Sequence, residues 1–148
     1  MQADHEEWNC NFMRLITIEW LKASSDDLLI IEKIIDIAHL SHMVAFHAQQ
    51  SIEKSFKALI EEHQIEIPKI HKLVRLYHIL ENKVMKIDET ILYRLDQLYI
   101  DSHYPGDMGL LPNGKPSLDD ANQFYNIAKM VFSNICELLS INNDDLLN

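Results

Sequence analysis

His71, Arg75 and His78 are separated by four and three residues, so one helical turn after another would set two imidazoles and a guanidinium on a single face, with Tyr77 beside them. Such a face suits phosphate binding or proton transfer near neutral pH, because imidazole titrates there and a guanidinium is permanently charged. The plainer reading is a solvated helix face on which His71 bonds to the preceding turn. Gln49, Glu53 and Lys57 recur at intervals of four. That order favours a Glu53 to Lys57 pair worth about 0.2–0.5 kcal/mol at a surface. Alone it predicts a wet helix face. It gains chemical interest where it meets the loop of Asp101, Ser102, His103 and Tyr104 ahead of Pro105.

Other reactive side chains read as structural. His39 and His42 stand three apart and His47 follows, so a helix could bring the first two onto one face as zinc ligands, yet no Cys or carboxylate completes a set of four. They are expected to be surface or junction histidines, and no metal or other cofactor is expected. Cys10 and Cys136 stand at opposite ends of the chain, with no C-x-x-C knuckle and no disulfide framework, which fits a reducing compartment. Cys136 falls in the apolar register of the last long helix and reads as core, as do Trp8, Trp20 and the methionines. There is no Gly-rich phosphate cradle, no G-x-S-x-G elbow and no H-E-x-x-H helix.

The elements that must position these groups follow from the breakers. Gly106, Gly109, Gly114, Pro105, Pro112 and Pro116 all lie in one short stretch; the remaining proline is Pro68, and the first 67 residues contain neither type. Long helices fill the rest. One amphipathic stretch runs from about Asn11 to Ala38 with Leu21, Leu28, Ile31 and Ile35 inward. Ser24-Ser25-Asp26-Asp27 interrupts it, either as caps of a second helix or as the exposed side of a continuous one; continuity is the expectation, since no Gly or Pro enforces a stop.

From about Ser41 to His63, Ala45, Ala48, Ile52, Phe56 and Leu59 form a stripe. A short helix from about His71 to Glu81 follows Pro68, and another from about Asp88 to Ser102 turns Ile91, Leu95, Leu98 and Tyr99 inward. Ser117, with Asp120 three residues on, starts a last helix whose stripe is Leu118, Ala121, Phe124, Ala128, Val131, Ile135 and Leu138. Five helices with short connections predict an all-α, up-and-down four-helix bundle with an additional short helix, forming one domain over residues 1–148. The polar tail from Asn142 to Asn148 is expected to fray.

Composition narrows the partners. The chain has 148 residues, 47% hydrophobic and 24% charged, which suits a folded protein. Its 23 acidic residues against 13 Lys and Arg give a formal charge of -10, which disfavours duplex nucleic acid. The first residues are acidic where a secretory signal is basic, and no run approaches the roughly 18 apolar residues of a membrane span. A soluble cytoplasmic protein is the expectation, with no membrane partner.

Several segments together resemble the HEPN domain family. They are Glu19-Trp20-Leu21-Lys22-Ala23 with Asp27-Leu28, then Phe46-His47-Ala48-Gln49-Gln50 with Glu53-Lys54 and Lys57-Ala58-Leu59, and then His71-Lys72-Leu73. Leu95-Asp96, Tyr99-Ile100-Asp101-Ser102 and Tyr104-Pro105 continue it, so the resemblance spans about Trp20 to Leu139 in order. It implies a four- or five-helix bundle, usually dimeric, similar to the helical domain of kanamycin nucleotidyltransferase. It also implies a partnership with a minimal nucleotidyltransferase, often in toxin-antitoxin pairs, and nucleotide binding in a cleft.

Many relatives are metal-independent ribonucleases carrying an Arg followed, after four to six residues, by a His. Here Arg14, Arg75 and Arg94 are the only arginines and none has a His at that distance. Where the near subfamily has Arg-Tyr-Pro, this chain has His103-Tyr104-Pro105. An imidazole there lacks the permanent forked cation that suits phosphate. The resulting expectation is a non-catalytic or weakly active homodimer that binds an ATP- or GTP-class nucleotide or a similar phosphorylated small molecule. Gln50, Glu53, Lys57, His71, His103 and Tyr104 would form its cleft. The alternatives are a ribonuclease that uses His71 with His103, and a purely structural dimeric interaction module.

Overall fold

In a computed structural model of the chain the backbone is described for residues 2–63, 65–103 and 114–147, and side chains for residues 14–63, 65–101 and 114–147. Four long helices carry the fold: α1 (Gln2–Ile34), α2 (Ser41–Glu62), α4 (Glu89–His103) and α5 (Leu118–Leu138). Two short ones, α3 (Leu73–Leu80) and α6 (Asn143–Leu147), and a 3-10 turn at Ala38–Leu40 complete it; no strand occurs among the described residues.

Helix α1 passes unbroken through Ser24-Ser25-Asp26-Asp27, as the absence of Gly and Pro there led us to expect. Ser24 does not cap anything. Its hydroxyl is fully buried and lies 2.8 Å from each of the Ser51 carbonyl, the Ser51 hydroxyl and the Ser55 hydroxyl, so it fastens α1 to α2. A few residues on, the buried Asp27 carboxylate meets His47 Nδ1 at 2.8 Å and accepts from Lys54 Nζ at 2.6 Å. Small hydroxyls and one neutralised carboxylate let the two longest helices lie close along this seam.

Helix α2 is the axis of the bundle, with α1, α3, α4 and α5 all packed on it. The stripe of Ala45, Ala48, Ile52, Phe56 and Leu59 is buried, as its spacing predicts. The other side is covered as well: 14 of the 22 residues of α2 are buried, among them Gln49, Ser51, Glu53, Ser55 and Lys57. This corrects the wet-face expectation for Glu53 and Lys57. A surface helix wets the residues off its apolar stripe, but a helix enclosed on several sides wets almost none.

The ends of the elements explain the remaining differences. Ser117 and Asp120 form a reciprocal capping box at the start of α5, where the sequence placed a helix start. Ala121, Phe124, Ala128, Val131 and Ile135 are buried, but Leu118 and Leu138 at the two ends are 42% and 50% exposed. The straight stripe runs past its neighbours at both ends, and Leu139 and Ile141 are buried in place of Leu138.

The chain turns after α5 through Ser140 at φ 53°, with Ile141 N–H donating to the Cys136 carbonyl and Ser140 N–H to that of Glu137. This is a Schellman turn with serine in the left-handed position. It folds the tail back as α6, started by a reciprocal pair between Asn142 and Asp145 and packed against α1. The expectation of a frayed tail is therefore corrected over residues 143–147.

Candidate functional site

The site grows from the buried polar ladder of α2. Gln49 Nε2 donates to the His71 carbonyl at 3.0 Å, and Gln50 Nε2 donates to Gln49 Oε1 at 2.7 Å. One turn on, Glu53 Oε1 lies 3.1 Å from His71 Nδ1, while Glu53 Oε2 lies 3.5 Å from Lys57 Nζ. The Lys57 ammonium in turn sits 5.5 Å from the centre of the Trp20 ring. Gln49 and Glu53 thus bind one residue of the α2–α3 connection by its backbone and by its ring. The buried carboxylate that does so is charge-balanced by Lys57 from below.

Helix α3 begins beside this anchor. Its own N-cap position, Lys72, supplies no side-chain cap. The cap comes from α4 instead: Asp96 Oδ1 accepts the Leu73 N–H at 2.9 Å and Oδ2 the Val74 N–H at 3.3 Å. Burial pushes the Asp96 carboxyl above its ordinary range, against the pull of those two amides and of Lys72. Tyr99, one turn along α4, stacks on Phe46 of α2 with ring centres 5.8 Å apart, and burial together with the Glu53 charge raises its phenol.

Between these elements lies a cavity of about 320 Å³. Its rim is cationic, from Lys69, Lys72 and Arg75 with His71; Asp96 and Tyr99 line it from α4, and Ile70 and Ile100 supply apolar walls. Lys69, His71, Lys72 and Arg75 are all exposed, and the Asp96 residue is only 5% exposed. Three of the thirteen lysines and arginines of a chain with a net charge of -10 therefore surround one hollow. Chemically it offers cations for an oxyanion, a buried acceptor and an aromatic wall.

The six residues expected at the cleft separate as follows. His71 lines the cavity, and Glu53 stands directly behind it. Lys57 is enclosed between Glu53 and Trp20, and Gln50 is engaged with Gln49; neither lines the cavity. The side chain of His103 and the whole of Tyr104 lie outside the described residues. Of the proposed pair His71 and His103, only the first is therefore placed.

The expected shared face of His71, Arg75 and His78 is not formed. His71 precedes the first residue of α3, Arg75 turns to the cavity, and His78 Nε2 bonds to Glu89 at the start of α4. Lys69, Lys72, Asp96 and Tyr99 escaped the spacing argument. The recurrence of cations at 69, 72 and 75 was the available signal, but it crosses a helix start, where periodicity does not apply.

The histidines near the start of α2 stand in three different surroundings. His47 Nδ1 is spent on Asp27, the His39 carbonyl accepts from Lys115, and the His42 ring, lowered in pKa by burial and by Lys115, is partly enclosed. Among the described residues no three His, Cys, Asp or Glu side chains converge in a way that could hold a metal ion, and no helix is long and apolar enough to cross a membrane.

A family model described as HEPN domain matches residues 18–139. No curated protein and no solved structure gives a significant match.

Proposed function

The chain belongs to the HEPN domain family, and from that premise we propose that it binds a nucleotide or a similar phosphorylated small molecule in the cavity between α2, α3 and α4. The observation that carries this reading is the concentration of Lys69, Lys72 and Arg75 around one hollow in a strongly acidic chain. Clustered cations serve a bound oxyanion, whereas a solvated acidic surface has no need to gather them. Tyr99, backed by Phe46, offers a flat wall for a base. We further propose that the protein works as a homodimer with a separately encoded nucleotidyltransferase, as the resemblance of its motifs implies. Exposed Leu15, Leu29, Met130 and Leu138 provide apolar surface for such contacts.

Titration calorimetry with ATP and GTP tests the ligand. Binding is expected, and Lys72→Gln with Arg75→Gln is expected to weaken it at least about tenfold, since each charge-assisted bond is worth about 1.5–3 kcal/mol. No heat and no thermal shift at millimolar nucleotide would remove the reading. Light scattering after size exclusion tests the dimer, and a monomer at micromolar concentration would exclude it.

A second reading is favoured by one contact. Glu53 bonds to Nδ1 of His71 at the cavity wall and so orients the ring with Nε2 as its other polar atom. A carboxylate-held imidazole beside cations can move a proton during metal-independent cleavage of an RNA phosphodiester. It predicts RNA cleavage in the presence of EDTA that His71→Ala abolishes; intact RNA after prolonged incubation with the wild type excludes it.

A further inference from the structure

Building on the proposed ligand site, we infer that Asp96 selects ribonucleotides over deoxyribonucleotides by accepting a hydrogen bond from the ribose hydroxyls of a nucleoside monophosphate. Among the described residues Asp96 is the one acid that lines the cavity. An ionised carboxylate has about four lone-pair positions. Among the described residues two of these are used, one on each oxygen, by the Leu73 and Val74 amides. Asp96 lines the cavity although the residue is only 5% exposed, so its carboxylate is largely shielded from bulk water at the wall of the hollow. A buried acceptor gains most from a ligand that brings a donor, and it repels a phosphate oxygen, which brings none.

The charges then set the ligand's direction. Its phosphate stays at the exposed rim of Lys69, Lys72 and Arg75, and its hydroxyls turn inward to Asp96. Tyr99, which stacks on Phe46, lines the cavity and supplies its aromatic wall for the base. Cations, a buried acceptor and a ring on one hollow suit the three parts of a nucleotide, its phosphate, ribose and base. The hollow of about 320 Å³ is near the small end of ligand cavities, roughly 300–1,000 Å³, which suits a single nucleotide unit.

The experiment is titration of the full chain with AMP, 2′-deoxy-AMP, ribose 5-phosphate and inorganic phosphate, in the wild type and in Asp96→Asn. Loss of one hydrogen bond to a charged group is expected to make 2′-deoxy-AMP roughly 10- to 100-fold weaker than AMP in the wild type. In Asp96→Asn, where a neutral amide oxygen replaces the charged acceptor, the ratio is expected to fall by roughly fivefold or more. Equal affinity for AMP and 2′-deoxy-AMP overturns the inference while leaving phosphate-ligand binding intact. A ratio preserved in Asp96→Asn assigns the selection to another residue and overturns it too. Ribose 5-phosphate binding as tightly as AMP overturns the nucleotide identity. Failure of all four compounds to bind where ATP or GTP binds overturns the inference alone, and failure of ATP and GTP as well removes the proposed function itself. Should Asp96→Asn lose its helical circular dichroism, the wild-type ratio alone decides, because it requires no substitution.

Discussion

Replacing Glu53 with Gln isolates the charge that underlies the site. The Glu53 and Lys57 side chains are 6% and 8% exposed, and their ion pair is closed on its other sides by His71 and Trp20. In Glu53→Gln the amide oxygen still accepts from His71, so the ring keeps its partner. Lys57 loses its carboxylate and remains enclosed. Removing one partner of a buried pair costs about 3–5 kcal/mol. The Trp20 face offsets up to about 2 kcal/mol of that, as cation–π contacts do when desolvated. With that offset the net expectation is about 1–3 kcal/mol of lost stability, or a fall in Tm of roughly 2–12 °C for a chain of this size.

Urea unfolding followed by far-ultraviolet circular dichroism measures it, with Lys57→Met and the double variant completing the cycle. The double variant is expected to be less destabilised than the sum of the singles by at least about 1 kcal/mol, since it leaves no unpaired charge. A Glu53→Gln protein within about 0.5 kcal/mol of wild type, the usual scale of surface changes, would refute the argument. Strict additivity in the double variant would do the same.

Three further outcomes follow from other contacts. Ser24→Ala removes the hydroxyl shared by Ser51 and Ser55 and is expected to cost about 1–3 kcal/mol in urea unfolding, the usual range for stranded buried polar groups; an unchanged midpoint would mean the seam is wet. The Arg94 guanidinium, with help from Ser117, holds the Asp120 carboxyl well below the ordinary carboxylate range. Its folded pKa is depressed, so its contribution is complete above the unfolded value of about 3.9 and is lost as pH falls toward the folded one. The stability gap between wild type and Asp120→Asn should therefore be constant near neutrality and narrow below about pH 4; a gap that widened on acidification would contradict the pairing. Burial pushes the Cys136 thiol up to about 11. Iodoacetamide at pH 8 should then label the Cys136 peptide slowly in native protein and rapidly in urea, by mass spectrometry; equal rates would show the thiol is open.

Much of the bundle was legible from particular residues. The absence of Gly and Pro before Pro68 carried α1 through its polar interruption, and the stripe from Ala45 to Leu59 located α2. Ser117 and Asp120 marked the start of α5 to the residue. The site was legible only in part. His71 and Glu53 were selected and do meet, whereas Lys57 was assigned to the ligand and lies behind the site. Lys69 and Lys72 offered only a recurrence of cations that crosses a helix start, and nothing in the spacing of Asp96 and Tyr99 marked them for the cavity. The tail showed the same limit: its Schellman turn places a serine where glycine is the usual signal.

Where each helix begins, and which of its faces is apolar, is written in neighbouring residues, because propensity, caps and the 3.6-residue period act within a few turns. That α2 would be enclosed on several sides, turning a polar ladder inward, depended on four other helices arriving around it. The meeting of Asp96 with the first turn of α3, 22 and 23 residues away in sequence, is likewise a consequence of packing. Burial and electrostatic environment are properties of the assembled neighbours, so only the tertiary structure could decide which charges are buried for stability and which are left around a hollow.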